Sequence, residues 1–140
     1  MATKAKGIRI SDELDREIAY ESESRGKSWS AITAELLEEA IRMRRAPRIV
    51  FVDGATGRRA AIAGTGLDVW EIIATWQEGG RSYEELRQNY PWLSEFQLRA
   101  ALAYYELYPT EIDARLEREA QLTPERVWQE FPFLKPLNRR

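Results

Sequence analysis

Apolar residues alternate and then recur at helical spacing near the start of the chain. Ile8 and Ile10 share one side of a short predicted strand and Arg9 lies on the other, because side chains alternate along a strand. From 12 to about 24 the apolar spacing changes to that of a helix, and Ser11 stands where an N-cap is expected. The pattern therefore predicts a strand that runs into a helix, with no second strand nearby to pair with it.

A second helix is predicted after a turn at Gly26, with Ser28 as its N-cap and Pro47 beyond its end. One face of this helix is apolar and carries Ile32, Leu36, Leu37, Ala40 and Ile41. The polar residues that are predicted to point away from that face are Glu35, Glu38, Glu39 and Arg42. One strand and two helices are too little to bury a core of their own, so this segment predicts a partner.

The predicted strand would leave a row of exposed backbone amides unless it pairs with another strand. Pairing with the same strand of a second copy solves this: the two strands run antiparallel, the isoleucines face four pooled helices, and Arg9 appears twice on the outer face. Such a ribbon fits the major groove of DNA. Two simpler interpretations stay open at this point, namely that Arg9 is a solvated surface residue and that Ser28 is only a helix cap.

The stretch IRISDELDREIAYESESRGKSWSAITAELLEEAIRM, residues 8–43, resembles the ribbon-helix-helix family of bacterial repressors and antitoxins. The resemblance implies that Arg9 reads bases and that the amides at the start of the second helix hold a phosphate. The predicted DNA-binding residues are Lys4, Lys6, Gly7, Arg9, Ser28, Trp29 and Ser30. Small residues, Ala5 and Gly7, stand at the other outward strand positions, so nearly all the direct readout falls on Arg9.

A hairpin and three helices are predicted beyond the linker at Ala46 and Pro47. Strands at 49–52 and 59–62 flank a glycine-rich turn at 53–57. The three helices are predicted over about 68–78, 83–89 and 95–108. The last two resemble a helix-turn-helix, but the third helix has one basic residue and would attract phosphate poorly. The aromatic residues of this segment sit mostly at helical spacings, which favours core packing over base stacking.

Two further stretches carry a second resemblance, GTGLDVWEII (residues 64–73) and GGRSYEELRQNYPWLSEFQLRAALAYY (residues 79–105). Together with the hairpin they resemble the small homeodomain-like family catalogued as domain of unknown function 433, over about 48–112. Members commonly have an arginine where Gly66 stands in this chain. The resemblance implies a relationship to antitoxins of the VapB type, which are encoded beside a small PIN-like ribonuclease toxin.

The last segment, 113–140, is helical and rich in aromatic residues, and Thr123 with Pro124 predicts the start of a short helix. It either folds back onto its own domain or binds another protein. In antitoxins this region usually wraps the toxin, and an arginine can neutralise the carboxylate cluster that holds metal ions in a PIN-like nuclease. The candidates for toxin binding are Arg115, Arg118, Arg126, Trp128, Phe131 and Phe133. Each arginine is also consistent with a solvated helix charge.

The amino-acid composition argues against several classes of function. The 140 residues include no cysteine and no histidine, which removes disulfides, thiolate metal sites and the commonest general base. We therefore expect no enzyme activity, no cofactor and no bound metal. The net charge of −2 argues against a protein that coats nucleic acid nonspecifically. No apolar run approaches the roughly 18 residues of a membrane span, so a cytoplasmic protein without membrane contact is expected.

These patterns predict a mainly α fold in three segments. Residues 1–46 form a ribbon-helix-helix domain and an intertwined homodimer, 47–112 a homeodomain-like domain of one β-hairpin and three helices, and 113–140 a helical tail. The predicted function is that of an antitoxin in a type II toxin-antitoxin system, which binds operator double-stranded DNA for autorepression and neutralises a PIN-like ribonuclease toxin. The alternative is a transcriptional regulator without a cognate toxin. Whether the dimer assembles further with the toxin stays open.

Overall fold

The computed structural model describes residues 2–54 and 57–137, and it divides into two compact units, 1–45 and 46–140. Most elements of both units are helices, and the second unit also contains a two-stranded antiparallel hairpin. The prediction of a mainly α chain with one hairpin is therefore confirmed. Part of the predicted hairpin turn, residues 55 and 56, lies outside the described residues.

The first unit is built from two helices, α1 (Asp12–Arg25) and α2 (Trp29–Arg45). The side chain of Ser11 accepts a hydrogen bond from the amide of Leu14 over 3.1 Å, which caps α1 as predicted. Gly26 ends the helix with a φ of 62°, a left-handed conformation that favours glycine. The hydroxyl of Ser28 accepts from the amide of Ala31 over 3.1 Å, so Ser28 is the N-cap of α2.

The core of this unit is small. Ile18 and Ile32 are buried where α1 packs on α2. Glu39 is only 8% exposed, so the prediction that it points away was wrong. It stands seven residues after Ile32, almost two full turns, and so lies on the same side of the helix. The residues of the predicted apolar face that are exposed are Leu37, Ala40 and Ile41.

Residues 2–10, which include the predicted strand, belong to no helix or strand of the single chain. Ile8 is exposed and Ile10 is half-buried. A strand needs a neighbour for its backbone hydrogen bonds, and the predicted neighbour belongs to another copy. The strand therefore stays a prediction.

The second unit begins with a hairpin and continues with helices. Its elements are β1 (Ile49–Gly54), β2 (Gly57–Ile62), α3 (Val69–Glu78), α4 (Tyr83–Asn89), α5 (Glu95–Leu107), α6 (Pro109–Gln121), α7 (Pro124–Glu130) and a 3₁₀ turn (Pro132–Leu134). The strands pair with Ile49 opposite Ile62 and Gly54 opposite Gly57. The hairpin and α3–α5 begin and end close to the predicted positions, whereas α6 runs across residue 112, where the second predicted segment ends.

Serine caps set the boundaries of α4 and α5. Ser82 accepts from the amide of Glu85 over 3.3 Å, and Ser94 accepts from the amide of Gln97 over 3.1 Å. The Gln97 side chain returns the contact by accepting from the amide of Ser94 over 2.8 Å, which completes a capping box. The turn between α4 and α5 is therefore fixed by local sequence.

The core of the second unit lies between the hairpin and α3–α6. Tyr104 is fully buried near its centre, with the ring of Phe51 at 6.3 Å on one side and the ring of Tyr108 at 5.0 Å on the other. The other fully buried large side chains of this unit are Ile49, Ile62, Val69, Ile72, Ile73, Leu86 and Leu98. The core therefore joins the hairpin to the helices in one unit.

Candidate functional site

The predicted DNA-binding arm is exposed along its length. Lys4, Lys6, Gly7 and Arg9 all lie on the surface of the first unit. Apart from residues 6–8, no heavy atom of the described residues lies within 4 Å of the point where a side chain would begin at Gly7. The arm thus presents three cations and open backbone without a covering element of its own unit.

The start of α2 is the second part of the predicted DNA contact. Ser28, Trp29 and Ser30 are exposed, and the hydroxyl of Ser28 is engaged with the amide of Ala31. The first amides of a helix have no partner within the helix and can donate to an anion. The serine cap is established, and Trp29 and Ser30 lie in the first turn of α2, where backbone amides have no partner within the helix.

An ion-paired corner fixes the turn between α1 and α2. Arg25 Nη2 lies 2.8 Å and Lys27 Nζ lies 3.0 Å from the two carboxylate oxygens of Glu35. Partial burial raises the pKa of Glu35, but hydrogen bonds and charge from Arg25 and Lys27 outweigh it and hold this pKa below its ordinary value. The carboxylate is therefore charged at neutral pH and ties the second helix to the end of the first.

The structure brings the three predicted toxin-binding arginines to one place. Arg115, Arg118 and Arg126 line a cleft of about 340 Å³ between α6 and α7, together with Leu122 and Glu130. Arg115 lies on α6 and Arg126 lies on α7. The two side chains come close together only because α7 turns back after the end of α6. Within the described residues, this cleft brings all three arginines together.

The three arginines differ in their surroundings. Arg115 Nη2 lies 2.8 Å from Glu119, and its guanidinium lies 5.1 Å from the centre of the Trp70 ring. Arg126 donates to the side-chain oxygen of Gln121 over a long 3.5 Å. Arg118 is exposed. Arg115 is thus held in place, while Arg118 and Arg126 can reach outward.

The tail carries exposed apolar side chains. Phe133 is 80% exposed, Phe131 is also exposed, and their rings make an edge contact at 6.0 Å. Trp128 is half-buried on α7. Leu122, Leu134 and Leu137 are exposed as well. The structure therefore leaves Phe131 and Phe133 exposed and covers Trp128 only in part.

The surface around the turn between α4 and α5, called here the helix-turn-helix face, differs from that of the tail. Trp92 and Phe96 are 68% and 69% exposed, so the expectation of core packing fails for these two aromatic residues. Trp92 lies just before α5, and Phe96 lies in its first turn. The guanidinium of Arg48 lies 5.1 Å from the centre of the Phe96 ring. On α5 itself, Arg99 Nε is 2.8 Å from Glu95, so the one basic residue of that helix is ion-paired.

Sequence patterns missed a second group of arginines. Arg58 and Arg59, on β2, line a small pocket together with Arg115 and Arg118 of α6. The adjacent pair of arginines was a visible signal, but its neighbours in space lie more than 50 residues further along the chain. The packing of α6 and of β2 against α3 brings them together.

Comparison with known proteins agrees with part of the sequence analysis. Residues 49–105 match the family model described as protein of unknown function (DUF433). The match covers the hairpin and α3 through most of α5, which is less than half of the chain. No curated protein matches this chain. No solved structure matches it either.

No helix within the described residues, 2–54 and 57–137, is long enough and apolar enough to cross a bilayer.

Proposed function

We propose that this chain is the antitoxin of a type II toxin-antitoxin system. In this proposal the first unit forms a dimer and binds operator DNA, the second unit and its tail cover a PIN-like ribonuclease toxin, and the chain has no catalytic activity of its own. The observation that carries the proposal is the grouping of Arg115, Arg118 and Arg126 in one cleft that adjoins a tail with exposed aromatic side chains.

The exposed apolar face of the first unit supports a dimer. Leu37 is 54% exposed and Ile41 is 55% exposed, and Ile8 and Leu14 are exposed as well. Covering a half-exposed aliphatic side chain is worth about 1 kcal/mol, so the eight such side chains of a dimer contribute roughly 8 kcal/mol. That gain lies within the range of estimates for the cost of association, about 4–15 kcal/mol, so the pairing of the two arms has to add to it. A second copy, which supplies both the helices and the pairing strand, is the occupant we propose.

Operator binding would follow from the same dimer. Pairing of the two arms forms an antiparallel ribbon that carries Arg9 twice, and such a ribbon enters the major groove. Lys4 and Lys6 then lie near the phosphates, and the amides of Trp29 and Ser30 meet one more phosphate at the start of α2. The net charge of −2 makes this local concentration of cations the source of attraction.

Toxin neutralisation is assigned to the second unit. A PIN-like nuclease holds its metal ions with clustered carboxylates, and a guanidinium placed among them can form paired hydrogen bonds. Arg118 and Arg126 are better suited to this than Arg115, which Glu119 and Trp70 hold in place. Phe131 and Phe133 supply apolar anchors beside the charged group, as is common at the centre of protein interfaces.

Co-purification with the product of the adjacent gene tests the proposal. The unmodified chain is expected to elute with that product as one complex in size-exclusion chromatography. A double change, Phe131→Ala with Phe133→Ala, should weaken the complex by removing exposed anchors without disturbing a core. The matched control is Trp92→Ala with Phe96→Ala, which removes two other exposed aromatic residues, from the helix-turn-helix face. Loss of the complex only in the control would assign the toxin to the other face.

A further inference from the structure

The outer face of α5 carries apolar side chains along its whole length. Phe96 is 69% exposed and Leu107 is 45% exposed. Between them, Ala103 is exposed and Ala100 is half-buried. The four residues follow one another at helical spacing, so they form one line along the helix, called here the α5 stripe. An apolar stripe on the outside of a helix is a surface on which another helix can pack.

The shape of the α5 stripe matches itself in an antiparallel pair. Its two ends are large side chains, and its middle is formed by the two alanines. When a second copy of the helix runs in the opposite direction, Phe96 of one copy lies beside Leu107 of the other. The alanines then meet at the centre, where small side chains let the two helices approach closely. The stripe is therefore suited to a two-fold contact with a second copy.

The charges on one flank of the stripe suit the same arrangement. Arg99 and Glu106 line one groove beside the stripe and lie about two turns apart along α5. Reversal of the second helix brings Arg99 of each copy near Glu106 of the other. Arg99 also contacts Glu95, but both of these side chains are more than half exposed, so the guanidinium is accessible to a second carboxylate.

The same flank disfavours two other occupants. Its two carboxylates, Glu95 and Glu106, outnumber its one guanidinium, that of Arg99. Such a flank would repel the phosphates of DNA and the carboxylate cluster of a metal-dependent nuclease. A second copy offers both signs of charge in the order that the flank requires.

We propose that the α5 stripes of two copies pack against each other in an antiparallel, two-fold contact within one dimer. This inference rests on the dimer of the first unit in the proposed function. Two large apolar side chains per copy cover less area than a stable interface buries, so the contact does not hold two free chains together. The first-unit dimer supplies the high local concentration at which so small a contact forms.

An introduced cysteine tests this contact in the full chain, which has no cysteine of its own. Ala103→Cys should be cross-linked between copies by a short bismaleimide, and the product appears as a covalent dimer on a denaturing gel. The matched control is Ala114→Cys, an equally small change at an exposed position of α6. The control should give roughly fivefold less covalent dimer, because its cysteines are not held together.

A charge exchange tests the predicted register. Glu106→Arg, added to the Ala103→Cys chain, should lower the yield of covalent dimer several-fold, because arginines then face each other across the contact. Further addition of Arg99→Glu should restore the yield, since each pair again has opposite charges. Both positions are exposed, so circular dichroism should show unchanged helicity. Failure of the second change to restore the yield would overturn the antiparallel register.

Two further measurements separate this inference from the proposed function. Leu37→Glu in the Ala103→Cys chain should abolish the cross-link, because the stripes pair only within the dimer. If the chain sediments as a dimer but Ala103→Cys cross-links no better than Ala114→Cys, the inference is overturned and the first-unit dimer stands. Maleimide labelling of the introduced cysteine that falls only when operator DNA or the product of the adjacent gene is added would assign the stripe to that partner instead.

Discussion

The hydroxyl of Tyr104 donates a hydrogen bond to the Glu111 carboxylate over 2.6 Å, which ties the buried centre of α5 to the first turn of α6. Tyr105 makes a parallel contact with Asp113, also over 2.6 Å. This hydrogen bond, with some burial, raises the pKa of Tyr105 above its ordinary value. The two tyrosines therefore set the position of the helix that carries Arg115 and Arg118.

Tyr104→Phe is expected to destabilise the second unit by about 1–2 kcal/mol, because a partly buried carboxylate loses a hydrogen-bond donor while the ring stays in place. Urea unfolding followed by circular dichroism measures the change. Tyr83→Phe is the matched control: among the described residues the Tyr83 hydroxyl is buried and has no hydrogen-bond partner, so its removal should be neutral or slightly stabilising. Equal destabilisation by the two variants would show that the Tyr104–Glu111 bond contributes little.

The Glu35 corner predicts a dependence of stability on pH. The pKa of Glu35 is lower in the folded chain than its ordinary value of 4.5, so its contribution to stability is full above that pH and is lost as the pH falls through the folded pKa. Glu35→Gln should thus be less stable than the unmodified chain at pH 7, and the difference should close in acid. Thermal unfolding at pH 7 and below pH 4.5 measures this. Glu23→Gln, an exposed change on α1, should show no such convergence.

The dimer proposal predicts that a charge placed on the exposed face of α2 lowers the mass of the protein in solution from that of a dimer to that of a monomer. Leu37→Glu should give a monomer in analytical ultracentrifugation, because two carboxylates would be buried in the interface. Leu107→Glu introduces the same charge at an exposed leucine of the second unit and should leave the mass unchanged. A Leu37→Glu chain that still sediments as a dimer would place the interface elsewhere.

Arg9→Ala should weaken operator binding by about 1–3 kcal/mol, the usual worth of a specific arginine contact with a guanine. The dimer should persist, since Arg9 is exposed and lies outside the apolar face. Lys6→Ala should instead lower the salt dependence of binding, by about one unit of slope for each phosphate that the protein no longer neutralises. Fluorescence anisotropy with operator DNA at several salt concentrations separates the two effects, and unchanged affinity for Arg9→Ala would remove it as a reader of bases.

Local sequence predicted where the helices and the hairpin strands lie, but it did not predict which side chains come into contact between them. Ser11, Ser28 and Ser94 cap the helices they were predicted to cap, because a cap depends on residues three positions away. Burial of Glu39 was not predicted, since a wide apolar face does not reveal which side a neighbouring element covers. The pocket lined by Arg58 forms only when α6 packs in the folded unit, and no local sequence pattern shows that packing.

Growth of cells that express the adjacent gene tests the central claim most directly. The proposal predicts that the adjacent gene alone arrests growth, that co-expression of this chain restores it, and that the chain with Phe131→Ala and Phe133→Ala restores it poorly. Control cells express the chain with Trp92→Ala and Phe96→Ala and should grow normally. Growth that is indifferent to the adjacent gene, with no complex formed between the two products, would contradict the assignment as an antitoxin.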